Sequence, residues 1–291
     1  MEIKIYDRKT KEVVIEKQYK EGHLKFLYNT VIGRVLLKYI FARKYFSGIY
    51  AKFMISKRSV KKIKPFIEKF NIDMNEYEGA EYKSFNDFFI RKRTYLAPLP
   101  QLSNNILISV ADAKLSVYSI NDELKINIKN SIYTVSSLVR DEKIADGYRN
   151  GTCLVFRLTV DDCHRYLYID DGHVKSHKSI AGVLHTVGPI SSYRHNVYIE
   201  NQREVSVLET ENIGDFVQIE IGAILVGKII NHPVTSFKRG DEKGYFSFGG
   251  STIVLLFKEG AVKVDDDILG FSKKGIETKV RQGEKIGEIV K

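Results

Sequence analysis

Two textures follow one another along the chain. Residues 3–19 alternate apolar and charged positions in IKIYDRKTKEVVIEKQY, which predicts a short strand pair turning near 7–9. From about 23 to 70 the spacing becomes helical. Phe26, Leu27, Val31, Leu36, Leu37, Ile40 and Phe41 recur at helix-like intervals, with Arg34, Lys38 and Lys44 between them. A second helix is expected over 60–70, after the basic pair Lys57 and Arg58. Residues 71–105 read as a connection that carries the short helical segment SFNDFFIRKR and the loop LAPLPQLSNN.

From Ile106 onward the texture is β. Short apolar runs such as ILISV, KLSVYSI, CLVFRLTV, FVQIEI and STIVLLF are separated by Gly, Asn and Asp. VGKII, KRGDEKG and VRQGEKIGEIV alternate apolar strands with glycine turns and predict the hairpin corners of a small folded-over barrel. The expected class is therefore α+β. A basic helical portion, 1–105, packs on a β-rich domain, 106–291.

Composition narrows the field. A chain of 291 residues with 43% hydrophobic and 28% charged residues is globular, which excludes disorder, collagen and a coiled coil. Cys153 and Cys163 are too few for a disulfide framework and favour a reducing compartment. The start MEIKIYDRKT has no apolar core of a signal peptide, and no run approaches the roughly 18 apolar residues of a membrane span. The seven His are scattered without metal-ligand spacing, so no metal is expected.

Charge is distributed unevenly. Residues 1–100 hold 22 Lys and Arg against 11 Asp and Glu, whereas the remainder holds 24 against 25. Between 22 and 72 a single acid, Glu68, stands beside twelve basic residues. Such a region is either a solvated helix pair or an amphipathic surface for something anionic. Nucleic acid is set aside, because Phe85, Phe88 and Phe89 read as helix packing rather than as a base-stacking platform.

Gly249-Gly250-Ser251-Thr252 precedes the apolar strand 253–257. On spacing alone this is a glycine turn entering a buried strand; a phosphate cradle lacks the helix and lysine it would need. The whole series is more specific: FNDFFIR at 85–91, SVAD at 109–112, Asp162-Cys163-His164-Arg165, and GDEKGYFSFGGST at 240–252. In this order it resembles the pyruvoyl-dependent phosphatidylserine decarboxylases, from about residue 80 to the end, and the basic N-terminal region is also similar to that family's membrane-facing part.

The resemblance implies a chain that makes its own cofactor. The Ser251 hydroxyl attacks the Gly250 carbonyl, and the ester formed by the N-to-O acyl shift eliminates to dehydroalanine. Hydrolysis then releases ammonia and leaves an N-terminal pyruvoyl group. Glycine before the serine suits the bent geometry of the attack. The products are a β chain, 1–250, and an α chain, 251–291, held as a heterodimer that is open to higher assembly. The pyruvoyl carbonyl takes the amine of phosphatidylserine as a Schiff base while CO2 leaves, giving phosphatidylethanolamine. The implied location is peripheral, on the cytoplasmic face of the cell membrane.

A serine needs a base, and the base an orienting acid. By resemblance the acid is Asp112, although the family's SPADG reads SVADA here, with Val110 and Ala113. The family pattern Asp-Tyr-His-Arg-x-His keeps its first histidine as His164, but the second, its usual self-cleavage base, is Leu167. Leucine moves no proton. Three readings stay open: His164 serves both steps, another histidine substitutes, or the chain does not process itself. His185 is the favoured substitute; His195 and His232 are further candidates. Asn201-Gln202-Arg203 resembles the family's Asn-x-Arg segment, so Arg203 is expected to hold a phosphate or carboxylate, or else to form an ordinary strand-end ion pair. Two other functions compete: a decarboxylase of a soluble amino acid, and an inactive homologue that binds anionic lipid.

Overall fold

A computed structural model describes residues 3–16, 21–41, 44–79, 81–94, 103–128, 131–186, 196–223, 228–247 and 251–290. Its centre is a ten-stranded sheet. In spatial order the strands are Ser236–Phe237, Gly172–Ile180, Arg203–Thr210, Gly214–Gly222 and Ser251–Phe257, then Thr152–Leu158, Ala113–Ser119, Glu277–Val280, Ile3–Asp7 and Glu12–Glu16. Neighbours run antiparallel, except that Ile3–Asp7 lies parallel to Glu277–Val280. The expected N-terminal strand pair thus forms and adds to the main sheet.

Ser251–Phe257 explains why a continuous apolar run forms a strand here. Both of its faces are buried, so no position needs to be polar. Ile253, Leu255 and Phe257 join Phe156, Leu158 and Phe216 in one core; Val254 and Leu256 join Val155, Val217 and Ile219 in another. The fold class is α+β, as expected. Among the described residues, however, no sheet closes into a barrel. The glycine corners belong instead to two open three-stranded sheets. One holds Ile229–Asn231, Glu242–Phe246 and Arg165–Leu167, and the other Val262–Val264, Lys285–Ile289 and Ile106–Ile108.

The basic region contains α1 (Glu21–Asn29), α2 (Val31–Leu36), a π-helical turn (Leu37–Phe41), α3 (Lys44–Ile55) and α4 (Ile63–Phe70). The helix expected over 60–70 is divided: Lys57–Lys62 is 3-10 and the α-helix starts at Ile63. Pro65 accounts for this, since it cannot donate a backbone hydrogen bond and is tolerated only in a first turn. In α5 (Phe85–Phe89) the Ser84 hydroxyl accepts from Asp87 N–H at 3.1 Å, capping the helix. Phe85, Phe88 and Phe89 then pack with Met54 and Phe66, the helix-packing role read from their spacing.

Candidate active site

Ser251 opens a central strand, opposite Gly222 on one side and Leu158 on the other. It is completely buried, and among the described residues its hydroxyl has no hydrogen-bond partner; the same holds for Thr252 Oγ1. A buried hydroxyl without a partner costs about 1–3 kcal/mol. Gly249 and Gly250 lie outside the described residues, as does His195.

Topology brings His164 toward this serine. The chain leaves the large sheet at Leu158, opposite Ser251, and enters the small sheet at Arg165–Leu167. It later leaves the small sheet at Phe246 and re-enters the large one at Ser251. The strands at either end of these two connections are neighbours in both sheets. Phe246 N–H donates to the His164 carbonyl at 2.9 Å and ties them together.

The His164 ring is fully buried, with Phe89 at 4.2 Å and Phe246 at 6.5 Å between ring centres. Its Nδ1 lies 3.0 Å from the Asp162 main-chain carbonyl. A carbonyl only accepts, so this contact places the proton on Nδ1 and leaves Nε2 as an acceptor, which has no partner among the described residues. Burial, assisted by the positive charge of Arg91, lowers the imidazole to about 3, so the ring is neutral across the physiological range.

The segment before His164 is held rigidly. The Asp162 carboxylate accepts from Thr159 N–H at 2.7 Å and from Lys114 Nζ at 2.8 Å. Burial raises Asp162 to about 6 despite that lysine. Arg91 is buried between the rings of Tyr77 and Phe88, 4.5 and 4.9 Å from its guanidinium carbon, and donates to the Asp161 carbonyl at 2.7 Å. Sequence reasoning quoted Arg91 within FNDFFIR without giving it a role; a cation beside three buried aromatics was the available sign.

Asp112 does not orient the imidazole as expected. Its carboxylate accepts from Arg93 at 2.6 Å, from Gln282 N–H at 2.8 Å and from Cys163 N–H at 3.4 Å. Its hydrogen bond nearest His164 in sequence is the one from the Cys163 backbone. Cys163 is buried and its thiol is pushed up to about 11, in keeping with a small core residue rather than a nucleophile. Leu167 is buried and donates its N–H to Val110, stitching SVAD to the small sheet.

His185 is linked through Asn201 to Gly222, the neighbour of Ser251 in the sheet. Asn201 accepts from its N–H at 3.0 Å and donates to the carbonyls of His185 at 2.8 Å and Gly222 at 2.7 Å. Arg203, expected to hold a phosphate or carboxylate, is engaged by main-chain carbonyls. Its buried guanidinium donates to the carbonyls of Ser137, Leu138, Ile199 and Asn201, where two short helices end. Burial lowers it to about 10. His232 is paired with Glu242 at 2.8 Å, which also binds Arg165.

The GDEKG segment owes its residues to packing. Lys243 Nζ meets Glu220 and Asn231, each at 2.9 Å, inside the protein. A Cβ on Gly244 would lie 2.0 Å from the Ile230 carbonyl oxygen, so no larger residue fits.

Comparison with known proteins agrees with this geometry. The family profile described as phosphatidylserine decarboxylase matches residues 85–288. The chain is 61% identical to phosphatidylserine decarboxylase proenzyme 2 of Clostridium acetobutylicum, over 99% of both chains. It is 42% identical to the phosphatidylserine decarboxylase proenzyme of Clostridium botulinum and 40% identical to that of Clostridium perfringens, covering 98% of this chain and 99% of each relative. With its motifs set around a buried serine and a neutral histidine, the chain belongs to the phosphatidylserine decarboxylase family.

Proposed function

We propose that the chain is a self-processing enzyme that converts phosphatidylserine to phosphatidylethanolamine and CO2 at a membrane surface. The observation that carries the reading is the buried Ser251 hydroxyl, without a partner among the described residues, on a strand paired with the one that leads to His164. In processing, His164 Nε2 takes the hydroxyl proton as Ser251 Oγ bonds to the Gly250 carbonyl carbon. The Gly250–Ser251 C–N bond then breaks, giving an ester and a free amine. Loss of the Ser251 Cα proton expels the Gly250 carboxylate, and water releases ammonia from the resulting dehydroalanine.

The pyruvoyl group so formed at residue 251 supplies an electron sink for loss of CO2. The orphaned hydroxyl is consistent with that fate, since it is removed with the ester oxygen. His164 holds and returns the proton required at the substrate Cα. The products, 1–250 and 251–291, stay together: strand Ser251–Phe257 is hydrogen-bonded on both sides by strands of the larger piece, and Glu277–Val280 likewise.

Lipid docking is assigned to the helical region. Val31, Ile32, Val35 and Tyr39 are exposed on α2 and the turn after it, and Ile49 and Ile55 on α3, among Arg34, Lys38 and Lys52. Exposed apolar side chains interleaved with cations suit an anionic bilayer, with phosphatidylserine as both substrate and surface. Among the described residues no helix is long and apolar enough to cross a membrane. The two free, buried cysteines fit the reducing, cytoplasmic face. The test is intact mass under denaturing conditions together with CO2 release from phosphatidylserine vesicles. Two chains with a blocked new N-terminus are expected; one full-length active chain overturns the mechanism.

A further inference from the structure

Tyr28 is fully buried although the rest of α1, where described, is exposed or half-buried. Its hydroxyl accepts from Thr186 N–H at 3.0 Å and lies 3.4 Å from His185 Nδ1, with the two rings edge to face. On its far side the His185 ring approaches Glu200, Nε2 to carboxylate 3.8 Å. The segment that Tyr28 touches borders the end of strand Gly214–Gly222, the neighbour of the serine strand. Val183 pairs with Asn201, Gln202 accepts from Gly222 N–H, and Leu184 Cδ2 lies 3.3 Å from where a Gly222 Cβ would stand. Gly222 faces Ser251 across the sheet.

Just beyond Tyr28, the C-terminal end of α1 is joined stiffly to the exposed apolar helix. Thr30 caps α2, its hydroxyl accepting from Gly33 N–H and donating to the Phe26 carbonyl, each at 2.9 Å. A Cβ on Gly33 would lie 2.1 Å from that carbonyl oxygen, so α1 and α2 meet backbone to backbone. Val31 and Ile32, among the most exposed apolar side chains, thus stand on the same rigid corner as Tyr28.

We propose that Tyr28 is a positioning residue for the active site, fixing the lipid-facing corner of α1 and α2 to the His185–Thr186 segment beside Gly222 and Ser251. The proposal rests on the lipid-surface reading above. Through Tyr28, a bilayer that seats α2 also sets the place of the segment packed on Gly222, the neighbour of Ser251 in the sheet. A phenol serves because its ring fills the buried gap while its oxygen takes the Thr186 N–H.

The test is Tyr28→Phe, which deletes one oxygen and leaves the ring. Chain splitting, vesicle co-sedimentation, melting temperature, and kcat and KM are measured on phosphatidylserine in vesicles and on a monomeric short-chain phosphatidylserine. The expected result is parent-like vesicle binding and KM, with kcat on vesicles lower by about tenfold, the scale of one lost buried hydrogen bond. The vesicle-to-monomer rate ratio falls with it, and Tyr28→Leu loses no less. Parent kcat and ratio in Tyr28→Phe overturn the proposal. So does an equal loss on both substrates accompanied by a lower melting temperature, which marks a merely structural role. Failure of the underlying reading is separate, since the parent itself would then not co-sediment with the vesicles.

Discussion

The Asp162 carbonyl and His164 Nδ1, 3.0 Å apart, decide which nitrogen of the buried ring can accept a proton. The acceptor that remains, Nε2, belongs to a ring held neutral by its surroundings. His164→Ala is expected to reduce CO2 release by at least about 100-fold, the usual cost of losing a general acid or base. Parallel gels follow chain splitting in His164→Ala and His185→Ala. Loss of splitting only in His185→Ala moves the processing base to that residue.

The same burial gives a pH dependence. His164 binds a proton near its ordinary value when unfolded but only near pH 3 when folded. Between those values the unfolded chain holds more protons, so this residue's contribution to stability falls as pH drops from about 6.5 toward 3. The difference in unfolding free energy between the parent and His164→Gln, taken from denaturant titrations across that window, isolates it from Asp162. A difference that does not change with pH contradicts the neutral buried ring.

Ser251→Ala should remain a single inactive chain, seen as one mass under denaturing conditions. Splitting at the same bond in this variant would remove the serine mechanism.

Asp112 and Arg93 form a mostly buried ion pair, so removing the cation strands the carboxylate. Arg93→Met is expected to destabilise the protein by about 3–5 kcal/mol, read as a lower denaturant midpoint. A midpoint equal to the parent's would show that Gln282 and Cys163 alone satisfy Asp112.

Vesicle binding through the helical region should weaken with salt and with zwitterionic lipid, as each basic residue contributes about 1 kcal/mol near an anionic surface. The double variant Lys57→Glu, Arg58→Glu tests this by co-sedimentation. Unchanged binding in high salt would point to the apolar side chains alone.

How much the sequence disclosed depended on where side chains point. STIVLLF was legible as a strand because burial on two faces leaves no polar position to break the run. Gly172–Ile180 was passed over, since HVKSHKS exposes most of its side chains and is held by backbone pairing to Arg203–Thr210 and Ser236–Phe237. At the site, Ser251 and His164 could be named from local motifs, but the partner of His164 is a main-chain carbonyl, which no residue identity encodes. Arg203 shows the complementary case: a charged side chain whose hydrogen bonds among the described residues all go to backbone carbonyls, which its identity does not reveal.

The parallel pairing of Ile3–Asp7 with Glu277–Val280 also bears on synthesis. The first strand to leave the ribosome must wait for almost the last before it gains that neighbour. The segment 277–280 also separates the opening hairpin from Ala113–Ser119, so the sheet cannot be assembled outward from its beginning. A nascent chain arrested before residue 277 therefore carries Ser251–Phe257 in a sheet that still lacks the strand between Ala113–Ser119 and the opening hairpin.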